Sequence, residues 1–457
     1  MHLPKRVLVA SVALATVATG LSLTDGQARG RPPASGTSTN VVVDWNDNAG
    51  RAAVAACFLG GYGPQEARMY AMMHIAVHDA LNAITPRSQP YAARLPASRG
   101  ASIAAATAAA SRGVLVPTLQ SFAFFLPEQC ILDGVASVED DYADALAGIP
   151  DGSSKSDGVA LGRAAAEAVR ALRASDGYDT PLTDPAYVEG TAPGEYRYTP
   201  GTPFAFGPHL GEDLTPFALE SASQFLPGPP YSVTSDEYAA DLNEVKRLGG
   251  DAITTPSART PDQTEIALFY LESSPLLWNR IARQVSQVRH LDTWESARLF
   301  GLLNMALTDG YIGTFKAKYL YRFWRPVTGI RLADIDANAA TTPDPTWTPL
   351  RETPPIPDYD SGHAVEGGAA AQVLRRFFHT DRMTFSTCSY TLPVGQTCAD
   401  RTPTMRAFTR FSQPEEENAL SRIYVGYHFR AAVVTGTRHG QEIADYTVDT
   451  VMRHGNG

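Results

Sequence analysis

The sequence predicts an all-α protein, and three observations carry that expectation. After residue 40, apolar residues recur at spacings of three and four, the period of a helix that buries one face. Strand signals, meaning short runs of alternating β-branched and aromatic residues, are sparse. The one long stretch without sustained periodicity, 175–234, is dense in Pro, Gly, Tyr and Thr and reads as an irregular connection rather than a sheet.

The elements follow in order. From Pro64 to Ile84, the residues Met69, Met72, Ile75, Ala76 and Ala83 keep helical spacing, with Pro64 suited to a first helical position. Within it His74 and His78 stand four apart beside Asp79. That spacing can ligate a metal, but the Glu of a metalloprotease helix is missing, and a packed hydrogen-bonding pair between helices is the expectation. Further helices are predicted over 101–125, 136–148 and 156–174. Residues 175–234 then connect two helical halves and form a candidate rim for a site entrance. Helices resume over 235–248, 261–289 and 292–324. A Pro-rich loop over 341–358 precedes a helix from 361 to about 379, a cysteine-bounded loop, and helices over 414–427 and 430–453.

At 457 residues the chain is long enough to bury a large core and to divide into more than one domain. Its 38 basic residues against 48 acidic ones leave a net charge of −10. No general basic excess exists to neutralise nucleic acid or an anionic membrane, so any anion site has to be built locally. Lys5 and Arg6, an apolar run from Val7 to Leu23, and the small residues Gly26 and Ala28 form a signal peptide over 1–28. Residues 29–40 are expected to be a disordered linker. No other stretch approaches the roughly 20 apolar residues needed to span a bilayer. The chain is therefore expected to be secreted, with no membrane association once the signal is removed. The four cysteines suit export: Cys388 and Cys398 flank a turn-rich segment with Pro393 and Gly395 and are paired locally, leaving Cys57 for Cys130. No C-x2-C pair supports zinc.

Chemistry concentrates near the C-terminus. Lys318-Tyr-Leu-Tyr-Arg-Phe-Trp-Arg325-Pro326, Asp360-Ser361-Gly362-His363 and Arg422-Ile-Tyr-Val-Gly-Tyr-His428 hold three fixed cations, with Arg adding forked donors for oxyanion oxygens. Ser361 and the Gly362 N–H offer further donors. Ser361 opens an Ala- and Gly-rich helical pattern, where the positive helix end favours an anion. Two histidines remain to ligate or attack a central atom and to shuttle a proton.

These three segments resemble the signature of the vanadium-dependent haloperoxidase and type 2 phosphatidic acid phosphatase superfamily: K-x6-R-P, P-S-G-H and S-R-x5-H. The third keeps its leading Ser421, while Asp360 stands where the second has Pro. The likeness to the bacterial haloperoxidase-type branch runs from about Val42 to Val451, and the long N-terminal helical region favours the peroxidase side over the smaller phosphatases. The resemblance implies helical bundles, with a vanadate site in the C-terminal bundle. It divides the chain into an N-terminal helical region, 41–234, and a haloperoxidase/phosphatase-like domain, 235–457. It further implies that His428 ligates vanadium and that Lys318, Arg325 and Arg422 neutralise the vanadate oxygens, with Ser361 and the Gly362 N–H bonding to them. His363 takes a proton from hydrogen peroxide, and Lys318 polarises the peroxide for attack by halide. The partners implied are hydrogen peroxide, a halide and a small organic acceptor. The alternative is a phosphatase, with His428 as a nucleophile forming a phosphohistidine and His363 as general acid. Ala432 lies where many superfamily members carry an acidic residue that orients the last histidine, which leaves Asp309 as a candidate substitute. Phe315 and Ile356 either flank a halide or pack.

Overall fold

The computed structural model describes residues 40–59 and 62–454. The expected signal peptide and residues 29–39 of the expected linker lie outside them. Asn40 is ordered: its side chain accepts the Val42 N–H at 3.1 Å and caps the first helix, α1, Val41–Ala55.

The first half holds α2 (Gly63–Ile84), α3 (Ile103–Ser121), α4 (Glu128–Ala147) and α5 (Ser153–Leu172). Helix α4 begins eight residues earlier than periodicity suggests, directly after Pro127. Pro64 does occupy the first turn of α2. After the long connection, which contains only the four-residue α6 (Leu210–Asp213), come α7 (Asp236–Leu248), α8 (Pro261–Phe269), α9 (Ser274–Val288) and α10 (Thr293–Tyr321). The chain closes with α11 (Pro326–Arg331), α12 (Gly362–Phe378), α13 (Ser412–Tyr424) and α14 (Arg430–Thr450). Among the described residues no helix is long and apolar enough to cross a membrane.

Three corrections to the predicted elements matter for the site. The helix expected over 261–289 is two, because Ser273 precedes Pro275, whose ring opposes helical continuation through the residues before it. The helix expected over 414–427 stops at Tyr424, and Gly426 follows with φ +86°, a left-handed conformation that favours glycine. Flanking the cysteine-bounded loop, β1 (Arg382–Thr387) pairs antiparallel with β2 (Arg406–Arg410). The period-two pattern of Met383, Phe385 and Thr387 is too short to stand out in the sequence. Phe385 meets Phe408 across the pair at 5.5 Å, and both are buried.

Helix α10 is the spine. Asp292 and Glu295 close a capping box at its start, and almost every residue from Ser296 to Lys318 is buried. It packs against α2 on one side and against α12 and α14 on the other. A single cluster of buried apolar residues runs from Val42 to Met452. Helices α12 and α14 approach closely through glycine: a Cβ on Gly440 would lie 2.0 Å from Val365 O, so the contact tolerates no side chain there. Both expected disulfides, Cys57–Cys130 and Cys388–Cys398, are present.

The segment 175–234 wraps the C-terminal end of α10. Its backbone donates from Tyr196 to Arg322 O at 2.7 Å and from Phe206 to Pro355 O at 2.7 Å, and Gly194 O accepts from Trp324 at 2.9 Å. It therefore ties together the two loops that flank the motif residues.

Candidate anion-binding site

Lys318 stands in the last turn of α10, and Arg322 then takes a left-handed conformation that ends the helix. The chain turns so that Arg325 precedes α11, where Pro326 occupies the first turn. Ser361 is the residue before α12, Gly362 and His363 lie in its first turn, Arg422 lies in the last turn of α13, and His428 sits in the bend between α13 and α14. Gly426 makes that bend possible. The Arg422 carbonyl accepts from both Tyr427 N, at 2.9 Å, and His428 N, at 3.3 Å, so the two third-motif residues are locked together by backbone.

The cations are interior groups: Lys318 and Arg325 are each 1% exposed, and Arg422 is 2% exposed. Backbone carbonyls orient them. Lys318 Nζ donates to Pro357 O and Asp358 O, both at 2.8 Å. Arg325 donates from Nε to Ile356 O at 2.6 Å and to Tyr427 O at 3.0 Å. Arg422 donates to Tyr270 O at 2.6 Å and to Ser421 Oγ at 2.9 Å. Tyr270 immediately follows α8, so the unforeseen break between α8 and α9 provides the acceptor that aims Arg422. Carbonyls orient charge without cancelling it, and buried charge is costly unless paired. An oxyanion is the partner such a cradle requires.

Burial, reinforced by neighbouring Arg325, pushes the Lys318 ammonium down to about 7. Burial likewise brings Arg422 to about 10 and lowers Arg325. His363 is held well below the usual histidine range by burial and then Arg422, and His428 by burial and then Arg325. Both imidazoles are thus neutral at pH 7 and offer a lone pair. Arg325 donates to His428 Nε2 at 2.9 Å. The Ser361 hydroxyl and His363 Nε2 are buried without any hydrogen-bond partner, an arrangement that is destabilising unless a ligand completes it. The donor set therefore fits a tetrahedral oxyanion such as vanadate.

The Lys318 shift has a measurable consequence. A bound oxyanion favours the charged ammonium and raises its pKa. Below about pH 7 Lys318 is already charged and binding leaves its protonation unchanged; above it, binding draws in a proton and affinity falls by up to about tenfold per pH unit. Titration calorimetry with sulfate, which does not itself titrate here, in buffers of different ionisation heat is expected to show proton uptake near pH 8.5 and little near pH 6. Equal proton counts at both would contradict this.

One expectation is corrected. Asp309 is not near His428: its carboxylate accepts the backbone N–H groups of Phe217, Ala218 and Leu219 at 2.6–3.0 Å and anchors the long connection. The carboxylate beside His428 is Asp358, whose Oδ1 lies 2.9 Å from Nδ1. Sequence reading passed over it as part of a Pro-rich loop, although an Asp three residues before the Ser-Gly-His string was a visible signal. Burial pushes Asp358 up to about 7, opposed by Arg325 and Lys318. Asp360, in the usual proline position, is fully buried and bonded to Thr314 Oγ1 at 3.0 Å and His439 Nδ1 at 2.8 Å. With Ser361 N donating to Ala432 O at 3.1 Å, it braces the Ser361 turn against α10 and α14. Phe315 packs beside Phe206 and Tyr319, and Ile356 packs against the core while its carbonyl holds Arg325.

His74 and His78 form no shared metal site. His74 stacks on Phe300 and contacts Asn46, with burial lowering it to about 3, whereas His78 bonds to Ser88 at 2.7 Å and contacts Asp79. No metal-ligating cluster of three or more His, Cys, Asp or Glu occurs among the described residues.

The chain is similar to known proteins in sequence and in fold. Residues 298–457 match the family described as the VCPO second helical-bundle domain. Across 86% of this chain and 79% of the relative, the sequence is 26% identical to the vanadium chloroperoxidase of Curvularia inaequalis. The fold is similar to the crystal structure of the first bacterial vanadium-dependent iodoperoxidase, with a TM-score of 0.73 and 24% identity over 91% of this chain and 98% of that one. It is also similar to a holo-type bacterial vanadium-dependent chloroperoxidase, with a TM-score of 0.64 and 17% identity over 88% and 94% of the two chains.

Proposed function

We propose that this chain, whose residues 298–457 match the VCPO second helical-bundle domain, is a secreted vanadate-dependent haloperoxidase that oxidises halide with hydrogen peroxide to a hypohalous species able to halogenate a small organic acceptor. The observation that carries the reading is the buried cradle itself: three interior cations, an unpartnered Ser361 hydroxyl and two neutral imidazoles converge from segments more than a hundred residues apart in total span.

Bound vanadate would supply Lewis acidity for peroxide activation without changing its own oxidation state. In this reading Lys318, Arg325 and Arg422 hold the oxyanion's charge, and Ser361 with the Gly362 N–H donates to its oxygens at the positive end of α12. His428 offers Nε2 as the nitrogen ligand. His363, neutral and with Nε2 unpartnered, would take a proton from hydrogen peroxide. Lys318 would draw charge from the oxygen that halide attacks. The likeness to the iodoperoxidase fold, which spans 91% of this chain and 98% of that one and so extends into the N-terminal helices, supports the peroxidase reading over a phosphatase that would use the same residues.

The test takes protein from culture medium, removes bound anion by dialysis against EDTA and phosphate, and assays bromination of a phenol dye beside hydrolysis of an aryl phosphate. Bromination is expected to vanish on dialysis and to return with orthovanadate. Activity restored only by iron or haem, or aryl phosphate hydrolysis without bromination, would overturn the reading.

A further inference from the structure

Asp358 is a buried carboxylate that no sequence motif assigns. Its Oδ1 lies 2.9 Å from His428 Nδ1, yet the approach is too bent for a hydrogen bond, and neither carboxylate oxygen has a well-aligned hydrogen-bond partner, although the Phe429 backbone N–H lies close enough to favour the charged form. Arg325 stands 4.0 Å away. Asp358 also lines a cavity of about 10 Å³, together with Tyr238, Asp241, Tyr359 and Phe429 among others. That is about the room one water requires, and the Tyr238 hydroxyl that reaches this region is likewise unpartnered.

The hydrogen bonding of His428 decides which ring nitrogen carries the proton. Arg325 can only donate, and its Nη1 lies 2.9 Å from Nε2 and a longer 3.4 Å from Nδ1, so the donation goes to Nε2. A neutral imidazole that accepts at Nε2 carries its proton on Nδ1, the atom facing Asp358. Bent contacts of this kind commonly straighten when a ligand is bound.

We infer that Asp358 is a positioning residue that fixes His428 in the Nδ1–H tautomer and so presents the Nε2 electron pair to the central atom of a bound vanadate, with a single water in the adjoining cavity donating to its other oxygen. The coordinate bond adds the nitrogen pair to the central atom and releases no group. The inference rests on the haloperoxidase reading for the identity of the anion. A carboxylate behind a metal-binding imidazole orients the ring and strengthens it as a ligand, and removing it typically costs about 10–100-fold in affinity.

A competing role, mere neutralisation of Arg325 and Lys318, makes the opposite forecast. Removing a negative charge from the cradle would then tighten every oxyanion. The experiment compares Asp358→Asn and Asp358→Leu with the parent protein by calorimetry, using orthovanadate and inorganic phosphate as separate probes. It also records the ring ¹⁵N shifts of His428. Vanadate affinity is expected to fall about 10–100-fold in the Leu variant, less in the Asn variant, whose amide oxygen still accepts, while phosphate binds as well as before or better. The parent spectrum should show Nδ1–H, and the Leu variant a mixture of tautomers. Vanadate and phosphate changing by the same factor, or Nε2–H in the parent protein, would overturn the inference. Should Asp358→Leu fail to fold, Asp358→Asn and the parent spectrum decide alone. A parent protein that binds no vanadate defeats the functional reading, while the tautomer measurement still judges Asp358.

Discussion

Replacing His428 with alanine is expected to reduce vanadate affinity by more than about 100-fold, beyond the loss typical for residues outside the ligand shell, and to abolish bromination with it. The reason is that the other partners of the anion are charges and hydrogen-bond donors, which treat vanadate and phosphate alike. Lys318, Arg325 and Arg422 remain in His428→Ala, held by the carbonyls of Pro357, Asp358, Ile356, Tyr427 and Tyr270. Vanadate should therefore still bind, but only about as tightly as phosphate. Calorimetry with each anion measures this directly. A variant that still prefers vanadate over phosphate as strongly as the parent would show that the ligand is another residue.

Replacing His363 with alanine is expected to fail differently. Its Nε2 is buried without a partner, and burial together with Arg422 keeps the ring neutral, so it is equipped to take a proton rather than to hold the anion by charge. Vanadate affinity should be nearly unchanged while kcat falls by about 10²–10⁴, the usual contribution of a general acid-base group. Steady-state kinetics at saturating vanadate, beside a binding isotherm, separate the two effects. If vanadate binding weakens as much in His363→Ala as in His428→Ala, the division of roles between the histidines is wrong.

Much of this site was legible in the sequence because its chemistry lies in short strings. Lys318 to Pro326, Asp360 to His363 and Ser421 to His428 each bring charge, donor and imidazole together within a few residues. The helical character was legible for the same reason: a period of 3.6 is a local property, and so are Pro64 in the first turn of α2 and the capping pair Asp292 and Glu295. The break after α8 was also written locally, in Ser273 and Pro275, but an otherwise continuous helical pattern obscured it.

The residues that support the cradle were not legible. Asp309 and Asp358 are both single aspartates in the sequence; one caps the backbone of residues 217–219 and the other faces His428. Which does which depends on how loops distant in the chain meet, and no periodicity encodes that. Asp360 stands where the motif has proline, and in the fold Thr314 from α10 and His439 from α14 reach its two oxygens. The sequence alone determined the helical class, the anion-binding inventory and the order of its parts, since each depends on neighbours within a turn or two. Only the tertiary structure decided which carbonyls aim the cations, which carboxylate stands behind His428 and how the Ser361 turn is braced. Those are contacts between segments far apart in the chain, and burial makes their partners obligatory.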